Sequence, residues 1–136
     1  MAQLLSRTAG KFCWLDLAAR DAGKAAQFYE KVFGWSANAQ AANGGAFVRL
    51  SLAGEDVGSL YQLRAAQLER GTPSHWTPYI GADDLDETVE RAVASGGAVI
   101  IQPFAVSGVA RIALIEDSVG ALVGLWSSLK EERHGE

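Results

Sequence analysis

The sequence predicts an α+β fold in which one βαβββ module is used twice. Three observations predict it. Two apolar-striped helical segments are each preceded by a strand-like run and an Asp and closed by glycine. Each segment is followed by three more strand candidates. Matching features stand at a fixed spacing: Asp21 and Asp84, and Gly34 and Gly97, are each 63 residues apart.

The elements follow in order. Lys11 to Leu17 is the first strand. Asp21 caps a helix running to about Phe33, where Ala25, Phe28, Tyr29, Val32 and Phe33 form an apolar stripe expected against a core. Gly34 supplies a left-handed stop. Ser36–Ala39, Ala46–Leu52 and Val57–Leu63 are the next strands. Arg64–Ser74, polar and holding Gly71 and Pro73, is the expected linker. Trp76 to Ala82 opens the second module, and Asp84 with Glu87 resembles a capping box. Leu85, Val89, Ala92 and Val93 form the second stripe, ended by Gly96-Gly97. Ala98–Pro103, Val109–Glu116 and Ala121–Ser127 complete the module. The expected organisation is one domain over residues 1–136, with modules at about 11–63 and 75–127, a linker at 64–74 and a polar tail at 128–136. A module of that size buries too little surface to stand well alone, so two packed together are expected.

Composition removes several classes of function. The 136 residues are 49% hydrophobic and 21% charged, an ordinary globular balance. Twelve Lys and Arg face 16 Asp and Glu, a net charge of −4, which argues against nucleic-acid binding because phosphate affinity needs a basic surface. Cys13 is the single cysteine, which excludes an internal disulfide and a cysteine-rich zinc site. His75 and His134 are the two histidines, too few for common hydrolase triads or rich metal sites. No apolar run reaches the roughly 20 residues needed to cross a bilayer, and the N-terminal residues lack a secretion signal, so a cytoplasmic location is expected.

Strand, Asp21, Ala26-Gln-Phe-Tyr29 and Val32-Phe-Gly-Trp35 together resemble the opening module of the vicinal oxygen chelate superfamily (glyoxalase I, bleomycin-resistance proteins and extradiol dioxygenases). Tyr79-Ile, Asp83-Asp84, Gly96-Gly97 and Arg111 with Asp117-Ser-Val-Gly120-Ala are similar to its closing module. The resemblance covers about Lys11 to Ser127. One departure is Asp117-Ser118, where the family often has Asp-Pro. The resemblance implies a cup-shaped, mixed β-sheet barrel with helices outside and a small-molecule site inside. It also implies a homodimer, since the family pairs modules within a chain or across a twofold axis.

Alternation then selects the residues facing that cup. Leu15 and Leu17 are expected on the helix side, leaving Phe12, Trp14 and Asp16 inward. The 63-residue spacing adds Thr77 and Tyr79, and it pairs Leu60 with Val123, leaving Tyr61, Gly124 and Trp126 inward. With Val48, Leu50 and Leu52 in the core, Phe47 and Arg49 face the cup. The metal-binding positions implied by the family are Trp14, Tyr61, Thr77 and Gly124, none a usual ligand. No cofactor is therefore expected. A divalent metal survives only if His75, through a two-residue register shift, joins Asp16.

Asp16 has two readings, an acid/base carboxylate with a raised pKa or a strand-edge carboxylate paired with Arg49. Trp14, Phe47, Tyr61, Tyr79, Trp126 and Phe104 either form an aromatic box for a flat or cationic ligand or fill the space a metal would have used. His75 reads as an exposed loop residue or as a base at the pocket rim. The expected function is a metal-free binding module for an apolar or aromatic small molecule. The alternative is a lyase, isomerase or dioxygenase of the same superfamily using Asp16, Tyr61 or His75.

Overall fold

The computed structural model describes residues 9–42, 45–106, 108 and 110–128, with only the backbone described at 40–42 and 45–47. His134, in the polar tail, lies outside the described residues. The strands are β1 (Phe12–Ala19), β2 (Ser36–Ala42), β3 (Gly45–Leu52), β4 (Glu55–Gln62), β5 (His75–Gly81), β6 (Ala98–Val106), β7 (Ala110–Glu116) and β8 (Leu122–Ser128). The helices are α1 (Ala22–Phe33), α2 (Ala65–Glu69) and α3 (Leu85–Ala94). The order βαβββ therefore occurs twice, as the sequence predicts, and the fold is α+β.

The chain forms two compact units. One is Leu15–Thr77, and the other is the segment ending at Trp14 together with Pro78–Glu136.

In the Leu15–Thr77 unit the strand order is β2-β3-β4-β1. β2, β3 and β4 are antiparallel, and β4 runs parallel to β1 with Asp16 opposite Ser59, Leu17 opposite Leu60 and Ala18 opposite Tyr61. α1 begins where the Asp21 carboxylate accepts the Lys24 N–H at 3.0 Å, satisfying a donor with no helical partner. It ends at Gly34, whose φ of +77° lets its N–H reach the Glu30 carbonyl at 2.9 Å. Leu17, Ala19, Leu50 and Leu60 form the core, with Ala22, Ala25, Ala26, Tyr29, Trp35, Val48 and Val57 packed against it.

The stripe on α1 differs from the expected one. Ala22, Ala25, Ala26 and Tyr29 form the contact line, while Phe28, Val32 and Phe33 remain 55%, 53% and 55% exposed. Small alanines let the helix approach the sheet closely, which turns the bulky residues to its flank. Leu15 and Leu52, expected in the core, are exposed as well. So is Phe12, which was expected inward.

The expected linker contains α2. There the Gln67 side chain accepts the Arg64 N–H at 2.9 Å. His75 is not in a loop but is the first residue of β5 and partly buried.

The other unit has the order β5-β8-β7-β6, with β5 parallel to β8 and the rest antiparallel. Asp84 caps α3 by accepting the Glu87 N–H at 3.0 Å. Leu85, Val89, Ala113, Ile115 and Leu125 are its core. Arg111 on β7 grips the Asp86 carboxylate of α3 with both terminal nitrogens, at 3.1 and 3.2 Å.

The parallel registers correct one sequence expectation. β1–β4 pairs Asp16 with Ser59, whereas β5–β8 pairs Tyr79 with Gly124. Asp16 and Tyr79 are 63 residues apart, but Ser59 and Gly124 are 65 apart. Two residues are gained between the helix and the last strand. The counterpart of Leu60 is therefore Leu125 and that of Tyr61 is Trp126, not Val123 and Gly124.

Candidate functional site

Each unit covers one sheet face with its long helix and leaves the opposite face to the remaining side chains. Those two faces differ in chemistry.

In the unit containing Pro78–Glu136 the face is aromatic. Trp14 on β1, Tyr79 on β5 and Trp126 on β8 share it. The Trp14 and Trp126 rings are 5.5 Å apart, tilted at 33°. Tyr79 meets Trp126 edge-on at 6.2 Å and 87°, an arrangement favoured by the ring quadrupoles. Tyr79 is buried, and its ring lies so close to Gly124 that any Cβ there would collide with it. Glycine at position 124 thus sets the height of the aromatic layer. Gly124→Ala is expected to displace the Tyr79 ring and cost about 1–3 kcal/mol. Urea denaturation together with the near-ultraviolet circular dichroism of the rings checks this.

In the Leu15–Thr77 unit the face is polar. Ser59 donates its hydroxyl hydrogen to the Asp16 carboxylate at 2.7 Å, across the pair that the strand register creates. Burial pushes the Asp16 carboxyl up to about 6, although the Ser59 hydrogen bond and the nearby His75 pull it back. Tyr61 follows Ser59 on the same face of β4, and burial and the Asp16 charge push its phenol upward while Arg64 pulls it down. Thr77 is buried. His75 Nδ1 lies 2.9 Å from the Pro73 carbonyl, so that nitrogen carries the proton.

Arg49 does not pair with Asp16. Its Nε lies 3.5 Å from Asp56, and Ser59 takes the role expected of the arginine. The Phe47 side chain lies outside the described residues. Phe104 is exposed on β6. Ser59 is the functional candidate that sequence reasoning missed. Its signal was the two-residue alternation from Tyr61, which places both on one face of β4.

The donor set does not fit a divalent metal. Trp14, Tyr61 and Thr77 offer indole, phenol and hydroxyl, and the fourth position is glycine at Gly124 or, with the observed register of β8, indole at Trp126, none a usual ligand. Among the described residues no three His, Cys, Asp or Glu side chains come together. Asp16 and His75 would supply two donors where such ions need three or more from a protein site.

Residues 11–125 match the model of the Glyoxalase/Bleomycin resistance protein/Dioxygenase superfamily, and the chain belongs to that family. It is 35% identical over 117 residues to "Putative glyoxylase CFP32" of Mycobacterium tuberculosis, a match covering 85% of this chain and 44% of that protein. It is 31% identical over 128 residues to the anthracycline biosynthesis protein DnrV of Streptomyces peucetius, covering 86% of this chain and 46% of the relative. The chain thus spans less than half the length of these curated relatives.

Among solved structures, methylmalonyl-CoA epimerase from Mycobacterium tuberculosis superposes with a TM-score of 0.64 at 17% identity, covering 86% of this chain and 87% of the epimerase. The hypothetical protein BH1468 from Bacillus halodurans gives 0.66 at 14% identity, covering 87% and 94%. At these identities the likeness is one of fold.

Proposed function

We propose that this domain binds an apolar, aromatic small molecule on the sheet face carrying Trp14, Tyr79 and Trp126, without a divalent metal. The observation that carries the reading is the ring layer seated on Gly124. Trp126, tilted 33° against Trp14 and met edge-on by the buried Tyr79 that Gly124 admits, is held in place by its neighbours and offers an aromatic surface suited to an apolar ring. Membership of a small-molecule-handling superfamily supports it, and so does the relative named for anthracycline biosynthesis.

The test is a tryptophan-fluorescence titration with planar aromatic compounds, with and without chelator. Micromolar quenching that chelator leaves unchanged, and that Trp126→Ala weakens at least tenfold, is the expected result. Quenching that requires added Mn, Fe, Ni or Zn overturns the metal-free reading, and no response to any planar compound overturns the binding reading.

A second reading has its own observation. The Asp16 carboxyl titrates near 6, in the range where a carboxylate serves as a general base, which favours a lyase or isomerase activity with Tyr61 and His75 nearby.

For assembly we propose a homodimer, supported by the exposed Phe28, Val32 and Phe33 on α1. Sedimentation at micromolar concentration is expected to give twice the 14.4 kDa chain mass, and a single-chain mass removes the proposal. No helix among the described residues is long and apolar enough to cross a membrane, and we propose a cytoplasmic location.

A further inference from the structure

The polar face of the Leu15–Thr77 unit holds a carboxylate whose surroundings are unusual for a structural one. Asp16 is desolvated, yet its one hydrogen bond among the described residues comes from a neutral hydroxyl, that of Ser59. Desolvated carboxylates are ordinarily paired with a cation, because removing the charge from water costs several kcal/mol. None of the cationic side chains forms an ion pair with Asp16 among the described residues, although His75 attracts its charge. Arg49, on β3, faces Asp56 at 3.5 Å. Arg20 Nη1 donates to the Thr72 carbonyl at 2.7 Å. His75, at the start of β5, directs Nδ1 to the Pro73 carbonyl. Arg64 lies beyond β4 and acts on Tyr61. No ion pair to Asp16 forms among the described residues.

Tyr61 completes the arrangement. It sits opposite Ala18, one step along from the Asp16–Ser59 pair and on the same face. A partly buried phenol ring beside a carboxylate is the combination that holds an ammonium group, with the carboxylate as counter-ion and the ring face adding cation–π attraction.

We infer that Asp16, positioned by Ser59 and flanked by Tyr61, is a recognition site for a ligand bearing a protonated amine. The ligand supplies the direct ion pair that Asp16 lacks among the described residues. This inference goes beyond the aromatic-binding reading by naming a charged group on the ligand, and it assigns Asp16 to recognition rather than proton transfer. An ammonium bound there holds the carboxylate ionised, so binding and ionisation are coupled. The groups facing Asp16 are Ser59 and Tyr61 from β4 and His75 from β5. Of these, Asp16 carries the charge that attracts the ammonium.

The experiment compares benzylammonium with its neutral isostere benzyl alcohol, using calorimetry and the carboxyl ¹³C signal of Asp16. At pH 7.5 the ammonium is expected to bind at least tenfold more tightly than the alcohol. Its affinity is expected to be roughly tenfold weaker at pH 5, where a group titrating near 6 is mostly protonated while the amine stays charged. The Asp16 carboxyl titration should move to lower pH when the ammonium is bound. Asp16→Asn should abolish the preference for benzylammonium over benzyl alcohol.

Equal binding of the two probes overturns the inference and leaves the aromatic-binding reading standing. A preference that persists in Asp16→Asn, or an unmoved carboxyl titration, also overturns it. Failure of both probes overturns it too, and the separate titration with planar compounds then shows whether aromatic binding has failed as well.

Discussion

Asp16→Asn is expected to stabilise the protein by up to about 3 kcal/mol at pH 7.5 and to have almost no effect at pH 4. The sign follows from the direction of the shift. Burial raises the Asp16 carboxyl from its ordinary 3.8 to about 6 in the folded protein, so the folded state favours the protonated form. The stability contributed by this protonation is fully present below 3.8 and is lost as the pH rises through 6. Asparagine resembles the protonated acid in shape and carries no charge, so it avoids that loss. Urea denaturation of the two proteins from pH 4 to pH 8 is the measurement. The stability difference should open between pH 4 and 6.5 and then level off. A difference independent of pH would mean that Asp16 is not desolvated. A residue that destabilises its own fold at neutral pH is most simply retained for what it binds or does.

Leu60→Ala is expected to destabilise the protein by about 2–5 kcal/mol. Leu60 is fully buried on β4, opposite Leu17 on one side and Val48 on the other, within the core that α1 covers. Truncation leaves a cavity between sheet and helix that neither element closes, because each is tied by its own backbone hydrogen bonds. Leu52→Ala provides the contrast. Leu52 lies on β3 and remains 44% exposed, so its loss should cost well under 1 kcal/mol. The midpoints of urea denaturation separate the two variants. Similar losses at both positions would contradict the described packing.

These leucines show how far the linear pattern reaches. Alternation assigns both Leu50 and Leu52 to the core, since they are two residues apart on β3. The ladder between β3 and β4 shifts register between Leu50 and Ser51, so alternation no longer describes the end of the hairpin. A bulge is a property of paired strands and leaves little trace in one of them. The helix stripe behaves similarly. Its period predicts which residues lie near the sheet, but the short alanine side chains decide how closely α1 approaches and which way Phe28 and Val32 turn.

That Trp14, Tyr79 and Trp126 come together was legible because alternation and the repeat put them on one face. Ser59 was not, because its importance depends on the parallel register of β1 and β4, and a hydroxyl in a strand carries no signal of its own. Gly124 was noted as a position unable to bind a metal. Its role as the floor beneath Tyr79 required the coordinates of both strands.

By itself the sequence determined the α+β class, the doubled βαβββ order, the caps at Asp21 and Asp84 and the poverty of metal donors. Those are local matters of period, capping chemistry and residue type, written within a few neighbouring positions. Only the tertiary structure decided that Asp16 rests on Ser59 rather than Arg49, that the last strand is displaced by two residues from the simple repeat, and that the sheet faces opposite the long helices are aromatic in one unit and polar in the other. Each of these depends on which residues of separate strands come to lie side by side. Register is set by the balance of turns, bulges and packing over a whole sheet, and no single strand contains it.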